Sequence, residues 1–148
     1  MIPSQNCINM IKMFEGFRAK PYKCPAGVPT IGYGSTFYSN GKKVTLKDKL
    51  ITEQDATNLL TTVVTNFSSG VSKLLKIQVT QNQFDALVDF AYNVGIGNLK
   101  SSTLLKKVNA KNFSGAALEF IKWNKAYDGK VLPGLTKRRT AEKDLFIK

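Results

Sequence analysis

Between residues 22 and 44 the sequence is interrupted every few positions by turn formers, Pro25, Gly27, Pro29, Gly32, Gly34 and the Asn40-Gly41 pair, and this stretch limits the folds open to the chain. A helix does not survive that density of proline and glycine, whereas short strands joined by tight turns require it, and Asn-Gly favours a two-residue hairpin. A small antiparallel sheet is predicted there. On either side the apolar spacing is helical. Ser4 precedes Ile8, Ile11 and Phe14, with Cys7 and Met10 beside that stripe and Gly16 as a stop. Thr52 and Asp55 form a capping box ahead of Leu60, Val63, Val64, Phe67, Val71, Leu74 and Leu75, which predicts one helix of roughly 23 residues, about 34 Å long at ~1.5 Å per residue. Ser68-Ser69-Gly70 is the place where that helix is expected to kink or break. Thr80 and Gln83 repeat the capping box before Phe84, Leu87, Val88 and Ala91, with Gly95 as the stop. Further helices are predicted over about 102–108, 114–123 and 135–146, the last carrying Arg138, Arg139 and Glu142.

The order is helix, small sheet, connecting helix and helical remainder, an α+β pattern with a cleft expected where two lobes meet. The expected organisation is a single domain over residues 1–148, with about 15–60 as the β-containing lobe and about 61–148 plus the N-terminal helix as the helical lobe. Hydrophobic content of 43% with 22% charged residues is that of a folded globular chain. No run approaches the roughly 18 apolar residues of a membrane span. The N-terminus "MIPSQNCINMIKMFEG" has no basic segment followed by a sustained apolar one and does not read as a signal peptide. Two cysteines, Cys7 and Cys24, are too few for a disulfide-built scaffold. A bridge between them is doubtful, because eight residues of helix carry Cys7 about 12 Å from Glu15.

The formal charge is +12, and residues 100–148 carry twelve Lys/Arg against four acids. Such a surface is drawn to polyanions. No Arg-rich arm, zinc-finger spacing or RNP-like aromatic set accompanies the charge, so nucleic acid is not the expected partner.

The chain contains no His. A Ser-His-Asp triad, a His-activated thiol and a His-ligated metal are therefore closed to it, and carboxylate, hydroxyl, thiol or Lys must carry any chemistry. Glu15, Cys24 and Thr30 lie at a spacing of Glu-x8-Cys-x5-Thr across the predicted hairpin. Glu15 falls at the C-terminal end of the first helix, where the dipole opposes a negative charge, which suits a proton donor. An acid at a helix end, with a hairpin returning a nucleophile-like group and a hydroxyl to it, is workable for splitting a glycosidic bond. A free thiol ionises near pH 8.5, and Lys20 and Lys23 are the nearby groups able to lower that value. Each residue also has a plain reading: Glu15 as a solvated surface acid, Thr30 as a strand residue bonding backbone, Cys24 as a small half-buried thiol, Cys7 as core.

The string "FEGFRAKPYKCPAGVPTIGYGST" closely resembles the phage-type lysozymes, the endolysins of glycoside hydrolase family 24, in the form with Cys where Asp is usual. "TQNQFDALVDFAYNVGIGNLKSSTLLKKVN" resembles the family's central helix and following turn, and "GKVLPGLTKRRTAEKDLF" its closing Gly-Leu-x-x-Arg-Arg-x-x-Glu segment. The resemblance implies a lysozyme-like α+β fold and hydrolysis of the β-1,4 bond between N-acetylmuramic acid and N-acetylglucosamine in peptidoglycan, without a cofactor. It implies Glu15 as general acid, Cys24 in the place of the usual Asp, Thr30 positioning water, and Thr36, Tyr92 and Asn93 binding substrate. Arg138 or Arg139 is expected to pair with Glu15. Tyr92 as core packing, Asn93 as a helix cap and the arginines as solvated charges are the plain alternatives. The expected setting is a monomer made in the host bacterial cytoplasm, reaching the periplasmic wall after another protein permeabilises the membrane, in loose association with anionic envelope polymers. Two other readings are a non-catalytic cationic protein that binds wall or membrane, and a lytic transglycosylase working with one acid.

Overall fold

The computed structural model describes all residues from Met1 to Lys148. Its elements are α1 (Gln5–Glu15), β1 (Arg18–Lys23), β2 (Pro29–Gly32), α2 (Glu53–Leu74), α3 (Gln81–Val94), α4 (Ile96–Ser101), α5 (Thr103–Asn109), α6 (Phe113–Glu119), a 3-10 turn (Phe120–Trp123) and α7 (Pro133–Phe146). The chain divides into two compact units, one of residues 8–66 and one of residues 1–7 with 67–148. No helix is long and apolar enough to cross a membrane.

In the first unit, β1 and β2 form a two-stranded antiparallel sheet in which Tyr22 faces Thr30 and Lys23 faces Pro29, with an irregularity between Arg18 and Tyr22. A hairpin forms at Asn40-Gly41, but with three residues between the strands rather than two: the Gly41 N–H donates to the Tyr38 carbonyl, the Tyr38 N–H to the Lys42 carbonyl, Phe37 bridges Lys43, and Gly41 alone takes a positive φ (+84°). Ile31, Tyr33 and Val44 are buried with Ala56, Leu59 and Leu60 from the start of α2. Thr52 caps α2 as expected, its hydroxyl accepting from the Asp55 N–H (3.1 Å) while Asp55 accepts from the Thr52 N–H (3.3 Å).

In the second unit every residue of α3 from Phe84 to Ala91 is buried, including Asp85 and Asp89. A helix enclosed on all sides is the centre of its core. Phe90 meets Phe120 and Trp123 edge-on, with centroids 5.7 and 5.4 Å away. Asp85 is satisfied from two directions: it accepts from the Ser4 N–H (3.1 Å) and the Ser4 hydroxyl, and from Gln81 Nε2 (2.8 Å). Cys7 is buried beneath this cluster and donates to the Asp85 carbonyl (3.6 Å); both cysteines are free thiols, so the Cys7–Cys24 bridge is absent.

Two elements differ from the sequence reading. The expected break at Ser68-Ser69-Gly70 does not occur, and α2 runs through it. Gly70 is instead a contact point, since a Cβ there would stand 3.0 Å from Ile96 Cδ1. Gly95 stops α3 through its N–H to the Ala91 carbonyl (2.8 Å), but at φ +97° it also redirects the chain straight into α4, a short helix the sequence reading missed.

Candidate active site

Glu15 is the last residue of α1 and is half-buried; Gly16 ends the helix with its N–H on the Lys12 carbonyl (3.0 Å) and the chain enters β1 two residues later. Cys24 follows β1 directly and opens the turn to β2. The Cys24 N–H donates to the Val28 carbonyl (3.1 Å) and the Gly27 N–H to the Cys24 carbonyl (2.8 Å), a closure that requires the positive φ of +79° at Gly27. In this turn the main chain of Val28, Ala26 and Cys24 itself, together with the Thr30 hydroxyl on the facing strand, favours the Cys24 thiolate.

The thiol is consequently held below its ordinary pKa. The Val28 N–H is the largest cause, opposed by partial desolvation and reinforced by the Ala26 N–H and the Thr30 hydroxyl. Lys20 and Lys23, the groups expected from the sequence to lower it, are exposed and are not among the causes. Backbone dipoles replace side-chain charge at this site. The buried Thr30 donates its hydroxyl to the Val28 carbonyl (2.9 Å). The same carbonyl accepts the Cys24 N–H.

Tyr22 was not singled out from the sequence. It faces Thr30 across the sheet, and the Arg18 guanidinium stands 4.5 Å from its ring centroid. Burial raises its phenol pKa, Arg18 counteracts this, and the charges of Glu15 and Cys24 add to the rise. Tyr22 thus feels the charges of both Glu15 and Cys24, and α1, β1 and the turn bring Glu15, Tyr22, Cys24 and Thr30 into one electrostatic neighbourhood. The period-two pairing of residues 22 and 30 was the signal that could have found it. Thr36 belongs to the same unit, half-buried, its carbonyl accepting from the Val44 N–H (2.9 Å).

Tyr92 and Asn93 belong to the second unit. The half-buried Tyr92 ring meets Phe67 edge-on at 5.5 Å, and the Asn93 side-chain oxygen accepts from Arg139 Nη2 (2.8 Å). Behind Asn93 lies a buried polar cluster. Arg138 grips Asp89 through two bonds of 3.0 Å, while Arg139 bonds Glu142 (2.8 Å) and lies 5.0 Å from the Phe90 centroid. Burial and the adjacent Asp89 carboxylate push the Glu142 carboxyl well above its usual range, against the pull of the two arginines. The arginines are therefore not the solvated charges of the plain reading; both are buried. Asp89 was overlooked, although an acid four residues after Asp85 inside an otherwise apolar helical run is itself a sign of buried partners.

The phage lysozyme family model matches residues 12–142. An endolysin of Bacillus phage B103 is 54% identical over 144 residues, covering 97% of this chain and 53% of its own length. An endolysin of Salmonella phage P22 is 36% identical, covering 97% of this chain and 97% of its own. A solved endolysin of Escherichia coli O157:H7 phage FAHEc1 superposes with a TM-score of 0.92 at 39% identity, over 100% of this chain and 94% of that one. The chain spans about half the length of the two Bacillus phage relatives it matches, those of B103 and PZA. The α+β, lysozyme-like fold expected from the sequence is the fold of the chain.

Proposed function

The chain belongs to the phage lysozyme family, and on that premise we propose that it is an endolysin hydrolysing the β-1,4 bond between N-acetylmuramic acid and N-acetylglucosamine in bacterial peptidoglycan, with residues 1–148 as one catalytic domain. What supports the reading is the hairpin that follows Glu15, where the Cys24 N–H (3.1 Å) and the Thr30 hydroxyl (2.9 Å) both bond the Val28 carbonyl and so stand side by side, and where the surrounding main chain and the Thr30 hydroxyl favour the thiolate. Glu15 donates its proton to the glycosidic oxygen as the C1–O bond breaks. The Cys24 thiolate faces the developing oxocarbenium charge and takes a proton from the attacking water, which Thr30 orients; proton return from Cys24 through solvent recharges Glu15. Thr36, Tyr92 and Asn93 contact the saccharide, and Arg139 fixes the Asn93 amide so that its NH₂ is free to donate. No cofactor enters these steps. The protein acts as a monomer on the wall from the host interior, after the membrane is opened.

Digestion of purified sacculi tests the proposal. The wild type should release fragments with reducing N-acetylmuramic acid ends, whereas Glu15→Gln should lose about 10²-fold or more of the rate, as removal of a general acid does. Anhydro ends would replace hydrolysis by a transglycosylase step. Killing of cells by Glu15→Gln at the wild-type level would replace catalysis by cationic binding. Alkylation or peroxide oxidation of Cys24 should stop turnover, and full activity after complete modification would remove Cys24 from the mechanism.

A further inference from the structure

Away from the residues described so far, three helices of the second unit end around one hollow. The C-termini of α2 at Leu74, α4 at Ser101 and α5 at Asn109 each carry a lysine in the last turn, Lys73, Lys100 and Lys106, and Lys76 follows α2 on the next segment. Together they line a concave surface of about 550 Å³, with Leu74 and Leu105 as its apolar lining. One side chain fixes the arrangement: the Asn109 carbonyl oxygen accepts from the Lys76 N–H (2.8 Å) and its Nδ2 donates to the Leu74 carbonyl (3.0 Å). The main chain of Lys76 is thus anchored to a helix end, and Lys73, Lys100 and Lys106 lie within helices.

The bland account is that lysines near helix C-termini answer the helix dipole. The charges do not balance on that account. Three helix ends contribute at most about −0.5 each, or roughly −1.5, and four ammonium groups leave an excess of about +2.5 in one hollow. All four lysines are exposed and none is in an ion pair; the neighbouring Lys107, by contrast, is taken by Glu119 at 2.7 Å. The other cavities described, one lined by Asp55, Asn58 and Thr62 and one by Met1, Leu75 and Phe84, have no lysine at all.

We propose that this lysine-lined hollow is a binding site for a flexible phosphodiester polymer with short polyol links, of the kind that makes a bacterial envelope anionic. Lysines are point donors that suit single, rotating phosphates, whereas a planar fork of arginines would demand a fixed geometry. The leucine lining accommodates the carbon segments between phosphates. No aromatic ring lines the hollow, so nucleotide bases have nothing to stack on. The inference stands on binding alone and does not depend on the glycosidase reading.

The test is calorimetric titration of the full chain with a poly(glycerol phosphate) oligomer, compared with inorganic phosphate, a single-stranded oligodeoxynucleotide of equal phosphate number and phosphatidylglycerol vesicles. Two variants of equal net charge separate a site from a general field: Lys73→Gln/Lys76→Gln/Lys100→Gln/Lys106→Gln, and a control with Lys42, Lys43, Lys47 and Lys130 changed to Gln. The first should weaken oligomer binding by about 30-fold or more and reduce the slope of log affinity against log salt by about 3, at ~0.7 per phosphate contact, while the control changes affinity by less than about 3-fold. Equal losses in both variants would overturn the proposal, as would tighter binding of the oligonucleotide or the vesicles. Should the fourfold variant unfold, Lys100→Gln/Lys106→Gln is expected to lose about half of the salt slope, and an unchanged slope would equally overturn it.

Discussion

Arg138→Met is expected to destabilise the protein strongly. The guanidinium and the Asp89 carboxylate form a fork of two 3.0 Å bonds, with side chains 5% and 0% exposed. Methionine fills most of the volume but leaves Asp89 buried without the cation that its two oxygens contact. Removing one partner of a buried pair costs about 3–5 kcal/mol, where an exposed pair costs about 0–1. For a chain of this size each kcal/mol moves the melting temperature by roughly 2–4 °C, so a fall of about 6–20 °C is expected. Lys122→Met provides the contrast, because Lys122 also bonds a carboxylate, Glu119 at 2.9 Å, but is 66% exposed; its cost should stay under about 1 kcal/mol. Thermal unfolding followed by circular dichroism measures both. The decisive comparison is the double variant Asp89→Asn/Arg138→Met. If an uncompensated buried charge is what destabilises, the double variant recovers about 2 kcal/mol or more relative to Arg138→Met. Additive losses, or a single-variant cost no larger than that of Lys122→Met, would refute the argument.

Three further outcomes follow from particular contacts. Thr30→Val should shift the pH profile of Cys24 alkylation by iodoacetamide toward alkaline pH, because a donor to the thiolate is lost, while Lys20→Gln/Lys23→Gln leaves it in place; the reverse pattern would return the role to the lysines. The Glu119 carboxyl is held below its usual value by Lys107 first and Lys122 second; its contribution to stability is therefore complete above the ordinary Glu value near pH 4.3 and lost as pH falls through the depressed one. Glu119→Gln should flatten the acid side of the melting-temperature profile, and an unaltered acid limb would contradict the assignment. Gly70→Ala should fail to realise the ~1 kcal/mol of helix propensity, because the new methyl meets Ile96 at 3.0 Å. The same change made on an Ile96→Val background, where the Cδ1 methyl is gone but Cγ1 remains at 3.3 Å, should regain part of it; stabilisation by Gly70→Ala alone would show the contact to be soft.

The sequence was most legible where local chemistry decides the outcome. Both capping boxes, Thr52/Asp55 and Thr80/Gln83, formed where their spacing placed them. So did the turn at Asn40-Gly41, with one residue more than expected, because each needs only neighbours within a few residues. Gly70 misled, since glycine weakens a helix by propensity yet here serves a partner 26 positions away, which no local rule detects. α7 misled in another way: its mean hydropathy is that of a surface helix, but beside Phe146 it buries Arg138, Arg139 and Glu142, and Arg138 pairs with Asp89 in a different helix. At the candidate site the spacing of Glu15, Cys24 and Thr30 marks them only as candidates, and the fold sets all three on α1 and the hairpin that follows it. The cause of the thiol's acidity was not legible, because the donors are main-chain amides of a turn and no residue type announces them.

That last point governs how freely this hairpin tolerates substitution. A cysteine tuned by neighbouring lysines loses its tuning whenever one of them mutates, and high ionic strength mutes it as well. A cysteine tuned by the amides of Ala26 and Val28 is indifferent to what those residues are. Nineteen of the twenty residue types supply the same donor, and proline alone removes it. The lineage can therefore vary the outer surface of the turn, its charge and its bulk, without losing the acidity of the sulfur, as long as neither position becomes proline and the bend at residue 27 is kept.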